Sequence, residues 1–228
     1  MALIVQELVR NDILIKPAST ICISGPSKCG KTFFVINLLK KRRNMYQNGD
    51  YPKRILFCYA VYQNAYEELQ NEVDNIQFHE GLPDIHMIND FSDNQHNLIV
   101  LDDMMKEVLN NRTIEKLFTV GSHHKGLSVY FISQNLFEGG KHARTISLNT
   151  EYNVVFKNPR DGGQIATLAR QMGRHFSVAI VEAYNDITRR APYGYLFLDM
   201  TQNCAEDIRI RTKIFPDELT FIYKYKTY

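Results

Sequence analysis

A chain of 228 residues, 44% hydrophobic and 23% charged, has the length and composition of one large globular domain with a full apolar core. Its net charge of +2 is too small to declare a polyanionic partner, so any basic surface must be local. No apolar run reaches the length of a membrane span, and Met1-Ala-Leu-Ile-Val-Gln-Glu lacks the basic start and long apolar core of a secretory signal.

In chain order, Pro17 closes an N-terminal segment, residues 1–18, expected to pack on the outside of the core. Ser19 to Ser24 alternates β-branched and small residues and predicts a strand. Gly25-Pro-Ser-Lys-Cys-Gly-Lys-Thr32 follows, and then an apolar run to Leu39 that predicts a buried helix ending in Lys40, Lys41, Arg42 and Arg43. After a loop at Asn48 to Pro52, Ile55 to Ala60 predicts a second strand. Tyr66, Leu69 and Val73 at helical spacing predict an amphipathic helix over 64–73, followed by a short strand at Ile76 to His79 and a loop over 81–84. Asn97-Leu-Ile-Val-Leu-Asp-Asp103 reads as a central parallel strand buried on both faces. A helix over 106–119, a strand at Leu127 to Ser133 and a flexible basic loop over 138–144 come next. Tyr152 to Phe156 predicts a strand, 164–172 and 178–187 predict helices, and 194–200 with 208–214 predict a closing hairpin. Within the tail, residues 216–228, Phe221 to Tyr228 alternates aromatic with basic or polar side chains, as an edge strand or a basic aromatic contact surface does. Strands alternating with helices predict one α/β domain over residues 1–228, built on a mostly parallel sheet.

Gly25 to Thr32 fits G-x-x-x-x-G-K-S/T, and it lies between a strand and a helix as that motif requires. Gly25 and Gly30 let the backbone turn its N–H groups inward around a phosphate, with Pro26, Ser27, Lys28 and Cys29 completing the loop. The helix N-terminus faces the same anion. Lys31 is placed for the β- and γ-phosphates and the Thr32 hydroxyl for Mg²⁺. Cys22, Cys29, Cys58 and Cys204 lack metal-ligand spacing and are expected to be free thiols. Asp102 and Asp103 end a hydrophobic strand, where the first carboxylate holds Mg²⁺ and a second can activate water. The alternative for such a pair is helix capping or solvation. Gln134 and Asn135 end the following strand, either as a γ-phosphate sensor and water-orienting amide or as turn residues. The chain has no N-K-x-D motif for guanine, which argues against a GTPase.

The loop, Leu98-Ile-Val-Leu-Asp-Asp-Met104, the run from Gly121-Ser-His-His-Lys-Gly to Ser133-Gln-Asn-Leu-Phe137, Arg144-Thr-Ile-Ser-Leu-Asn149 and Phe156-Lys-Asn-Pro-Arg-Asp161 occur in a specific order. Together they resemble the genome-packaging ATPases of poxviruses, Polinton elements, adintoviruses and virophages, a group within the FtsK–HerA superfamily. The resemblance covers about residues 20 to 200. It implies a three-layer, RecA-like phosphate-loop fold with a C-terminal β-hairpin, and a homo-oligomeric ring that hydrolyses ATP with Mg²⁺. It implies further that the ring drives double-stranded DNA into a capsid or portal vertex at the site of virion assembly in a host cell, without membrane or secretion.

Carried onto this chain, the resemblance makes Lys31 and Thr32 the phosphate and Mg²⁺ ligands, Asp102 the magnesium carboxylate, Asp103 the base and Gln134 the polar sensor. Many relatives in the wider superfamily have Glu at the position of Asp103. FtsK-like chains carry an arginine finger before the sensor strand, where this chain has His123, His124 and Lys125. Lys125, Arg144 and Arg160 are therefore the finger candidates, and Lys141 and Arg144 the candidate DNA contacts. Two other functions fit a phosphate loop: a superfamily-3 viral helicase, and an assembly protein switched by ATP with little hydrolysis.

Overall fold

The computed structural model describes residues 3–7, 13–91, 95–121 and 126–225. Ten strands form one sheet: β1 (Leu3–Glu7), β2 (Thr20–Ser24), β3 (Arg54–Tyr59), β4 (Ile76–Glu80), β5 (Asn97–Asp102), β6 (Leu127–Ser133), β7 (Tyr152–Phe156), β8 (Tyr195–Asp199), β9 (Ile210–Thr212) and β10 (Phe221–Tyr225). Their order across the sheet is β1-β10-β9-β8-β7-β2-β6-β5-β3-β4. From β4 to β7 every pairing is parallel, and from β7 to β1 every pairing is antiparallel. The predicted class, α/β with a mostly parallel centre and a closing antiparallel hairpin, is the one observed.

Burial explains why the central strands read as unbroken apolar runs. Along β3, Ile55 and Phe57 pack into one core while Leu56 and Cys58 pack into the other. The first core is closed by α1 (Lys31–Lys40) and α2 (Ala65–Glu72) through Phe34, Leu38, Tyr66 and Leu69. The second is closed by α3 (Ile85–Asn89), α4 (Met105–Leu109), α5 (Arg112–Lys116) and α6 (Ala143–Leu148). Beyond β7, the paired helices α7 (Gly163–Gln171) and α8 (Arg174–Arg190) cover Val155, Leu196 and Leu198. Helices on both faces of one sheet make the three layers, and all six residues of β5 are buried between them.

Several expectations are corrected. The end of the N-terminal segment joins the core: Ile13 and Ile15 are buried, and Ile15 bonds the backbone of Met45 and Gln47. The helix expected over 106–119 is two short helices, because the Asn111 side chain accepts from Thr113 and Ile114 N–H and restarts the chain as a new N-cap. It then ends in a π-turn at Leu117–Gly121. The Asp84 side chain, at the end of the expected loop over 81–84, caps α3, a helix for which the sequence carried no expectation. The basic loop over 138–144 is held, since Gly140 presses on Leu109, Lys141 N–H donates to Asn110, and His142 pairs with Glu115. Its end, with Arg144, belongs to α6. The tail strand β10 is not an edge, because β1 pairs along it and takes the edge position.

Candidate functional site

The phosphate loop leaves the buried C-terminal end of β2, between β6 and β7, where the sheet directs every parallel strand toward the same edge. Its turn needs left-handed backbone at Lys28 and Gly30, with φ of 65° and 106°. Gly25 is required for space: a Cβ there would sit 2.7 Å from Cys29 Sγ and 2.8 Å from Phe156 Cβ. The loop is thus pressed against β7, and its Gly25 N–H donates to the Ser133 carbonyl at the end of β6. Lys31 is buried, and its ammonium donates to the carbonyls of Gly25 (2.7 Å) and Pro26 (2.9 Å). A phosphate entering the loop would offer that cation stronger, charge-assisted bonds.

Thr32 lies in the first turn of α1, and its hydroxyl donates to Asp102 Oδ2 at 3.2 Å. The sheet makes that contact possible across seventy positions of chain, because β5 lies two strands from β2 with β6 between. Asp102 is 2% exposed. Burial raises its carboxyl above the ordinary value, and bonds from Tyr66 and Thr32 oppose the shift. The Tyr66 hydroxyl donates to the same oxygen at 2.8 Å. A buried carboxylate beside a threonine hydroxyl is a hard oxygen pair suited to Mg²⁺, which takes its remaining ligands from phosphate and water. The residues present therefore fit that ion.

Asp103 has left-handed backbone, φ 59°, which Asp tolerates better than most residues. Its effect is specific. A strand extended through Asp103 would send successive side chains to opposite faces, whereas here Asp102 and Asp103 line one cavity. Asp103 is exposed there, and Gln134 Nε2 donates to its Oδ1 at 2.7 Å. Gln134 comes from the end of β6, the strand between Asp103 and the loop. A solvent-facing carboxylate held by an amide beside a phosphate loop is placed to accept a proton from water.

The cavity has a volume of about 770 Å³ and is lined by Lys31, Thr32, Asp102, Asp103 and Gln134 together. It also has an aromatic arm past Gly30, with Phe33 and Tyr193. Other sequence-predicted residues lie elsewhere. Arg160 is exposed after β7 and does not line this cavity, Lys141 and Arg144 are exposed beyond β6, and Lys125 lies outside the described residues, as do His123 and His124. Asn135 turns away, its amide donating to Glu138. The four cysteines are free, and burial raises the Cys29 thiol. The cationic run after α1 is engaged structurally: Lys40 pairs with Glu68 and Glu72, Arg43 with Asp74, and buried Arg42 donates to the Leu39 carbonyl at the helix end. Tyr66 was missed as a site residue because its position on α2 gives only an apolar helical signal, which its ring satisfies.

No family profile and no curated protein sequence matches the chain. Solved structures do. The genome-packaging NTPase B204 of Sulfolobus turreted icosahedral virus 2, in complex with ATP-gammaS, is similar with a TM-score of 0.53 at 12% identity, covering 81% of this chain and 93% of that one. B204 of Sulfolobus turreted icosahedral virus, described as a DNA-packaging ATPase, gives a TM-score of 0.53 at 10% identity, covering 82% and 94%. At such identities the likeness establishes the fold alone, a mostly parallel α/β sheet with flanking helices shared with these two ATPases.

Proposed function

We propose that this chain is a single-domain, Mg²⁺-dependent ATPase that packages double-stranded DNA into a viral or virus-like capsid as a homo-oligomeric ring. The observation that carries the reading is the convergence of Thr32–Asp102 and Gln134–Asp103 beside Lys31, contributed by three neighbouring strand ends. Its support is threefold: the site geometry, the order of the sequence motifs, and a fold shared with two viral packaging ATPases.

In this reading Lys31 and the loop N–H groups bind the β- and γ-phosphates. Thr32 and Asp102 hold Mg²⁺, which when bound neutralises charge on the phosphate oxygens. Asp103 takes a proton from the attacking water, and Gln134 holds Asp103 toward the γ-phosphate position. Lys125, Arg144 or Arg160 serves as the finger that a neighbouring subunit inserts, and Lys141 with Arg144 contacts the DNA backbone. The exposure of Arg144 and Arg160 away from their own cavity suits a role at another subunit's site.

The test is ATP turnover with and without double-stranded DNA, for the wild type, Lys31→Ala and Asp103→Asn. Turnover stimulated by DNA, abolished in Lys31→Ala and reduced about 10²–10⁴-fold in Asp103→Asn with nucleotide binding intact, supports the motor. Full turnover in Asp103→Asn sinks its role as base. Strand separation without translocation would mark a helicase instead.

A further inference from the structure

The cavity extends beyond what a triphosphate and its metal require. Past Gly30 it passes between one face of α1 and two surface turns. On α1, Phe33 and Asn37 are four residues apart and therefore share a face. Phe33 is 74% exposed, unusual for a large apolar ring in an otherwise buried helix.

The first turn is Ala191-Pro-Tyr-Gly194, between α8 and β8. It closes tightly because Gly194 lies against the end of α8: a Cβ there would be 2.7 Å from the Ile187 carbonyl. Tyr193 is thereby presented at 67% exposure, beside Gly30. The second turn, Phe215-Pro-Asp-Glu218, is closed by Glu218 N–H donating to the Phe215 carbonyl at 3.0 Å. The Lys41–Asp217 ion pair fastens it to the end of α1. Glu218 lines the cavity, and its carboxylate accepts from the Phe215 N–H. A carboxylate takes several donors, so this bond leaves acceptor capacity facing the cavity.

Two exposed rings and two polar side chains at the far end of a phosphate site are the chemistry of base recognition. Resting on the nucleotide reading above, we propose that this arm is a purine-base site. The base packs against Tyr193 and Phe33, while Glu218 and Asn37 read an amino-bearing edge of the ring. Stacking favours the larger purine face, and the carboxylate selects a base that donates toward it. Adenine offers its 6-amino group, and guanine its N1–H with the 2-amino group. Hypoxanthine keeps the N1–H but has no amino group, so it offers one donor fewer than guanine, and cytosine carries an amino group but lacks the second ring.

The experiment is calorimetric titration of the full chain with the Mg²⁺ salts of ATP, GTP, ITP and CTP, on the wild type and on Glu218→Ala, Tyr193→Ala and Lys31→Ala. The two residues other than Lys31, Tyr193 and Glu218, tolerate truncation sterically, since both are exposed, and thermal melts check the fold. The wild type should bind ATP or GTP about tenfold more tightly than ITP and CTP, the worth of one hydrogen bond to a charged group. Glu218→Ala should weaken the favoured nucleotide and remove its preference over ITP in the same variant. Tyr193→Ala should weaken every purine nucleotide about tenfold, as loss of a stacking ring does. A preference for ATP identifies the 6-amino group as the reader's target, and one for GTP the 2-amino edge. Equal binding of all four nucleotides, or preferences unchanged in both variants, overturns the base site. If Lys31→Ala still removes binding in that case, the nucleotide reading survives alone. If Lys31→Ala binds like the wild type, or no nucleotide binds, both fail.

Discussion

Tyr66→Phe removes one hydroxyl and leaves the ring, which isolates the support given to Asp102. The ring packs 4.9 Å from Phe57 and 5.4 Å from Phe78 between centroids, and the substitution keeps both contacts. What goes is the 2.8 Å bond to Asp102 Oδ2. Because Asp102 is only 2% exposed, bulk water cannot freely replace the lost donor. A hydrogen bond to a charged group is worth about 1.5–3 kcal/mol, which corresponds to roughly 10- to 150-fold in an equilibrium. Outer-shell partners of metal ligands show effects of about 10–100-fold. The Asp102 carboxyl is already raised by burial, and losing this donor raises it further. The assay is ATP turnover across a Mg²⁺ titration, beside a thermal melt of the ligand-free protein. The half-saturating Mg²⁺ concentration should rise about tenfold or more, with a lower Tm. An unchanged Mg²⁺ requirement together with an unchanged Tm would refute the reasoning, since Tyr66 would then be packing alone.

Asp102→Asn should raise the Tm of the ligand-free protein near neutral pH while removing Mg²⁺-dependent turnover. The amide oxygen can accept from both Thr32 and Tyr66, as Oδ2 does now, without a buried charge. The sign follows from the raised carboxyl: ionised Asp102 costs stability at neutral pH, and the cost disappears as pH falls through a value above the ordinary 3.8. The Tm gap between variant and wild type, measured across that range, should therefore close on acidification; a constant or widening gap contradicts it. Gly25→Ala should destabilise the chain by about 1–3 kcal/mol through overpacking and weaken nucleotide binding, because the added methyl meets Cys29 and Phe156. Denaturant unfolding measures the first effect, and wild-type stability would show that the loop moves aside. Lys141→Ala with Arg144→Ala should lower affinity for double-stranded DNA and reduce the salt slope by about two. An unaltered slope would place the DNA contacts elsewhere.

Much of the fold was legible because its signals are local. The run Leu98 to Leu101 is apolar on both sides of the pleat because helices cover both faces, so it announces a central strand. The glycine and lysine spacing of Gly25 to Thr32 announces the loop, since few other residues permit its turn. The break at Asn110-Asn111 was not legible as a break, because helical periodicity continues through it and capping is settled by a side chain's choice of partner. Likewise, alternation in Phe221 to Tyr225 marks a strand but not its neighbours, so β1 could displace it from the edge only through pairing at a distance.

The sequence by itself determined the glycine-rich loop motif, the two adjacent aspartates, the Gln134 amide at a strand end and the alternating α/β plan, each carried by contiguous residues with their own backbone requirements. Only the tertiary structure decided how these parts meet. The strand order brings Asp102 to Thr32, the left-handed turn at Asp103 puts both acids in one cavity, and α2 delivers the Tyr66 hydroxyl to the buried carboxylate. It also brings Tyr193 and Glu218 to the face of α1 that carries Phe33 and Asn37, across more than 150 positions of chain. Such contacts leave no periodic trace, because they depend on which strands pair and not on which residues are neighbours along the chain.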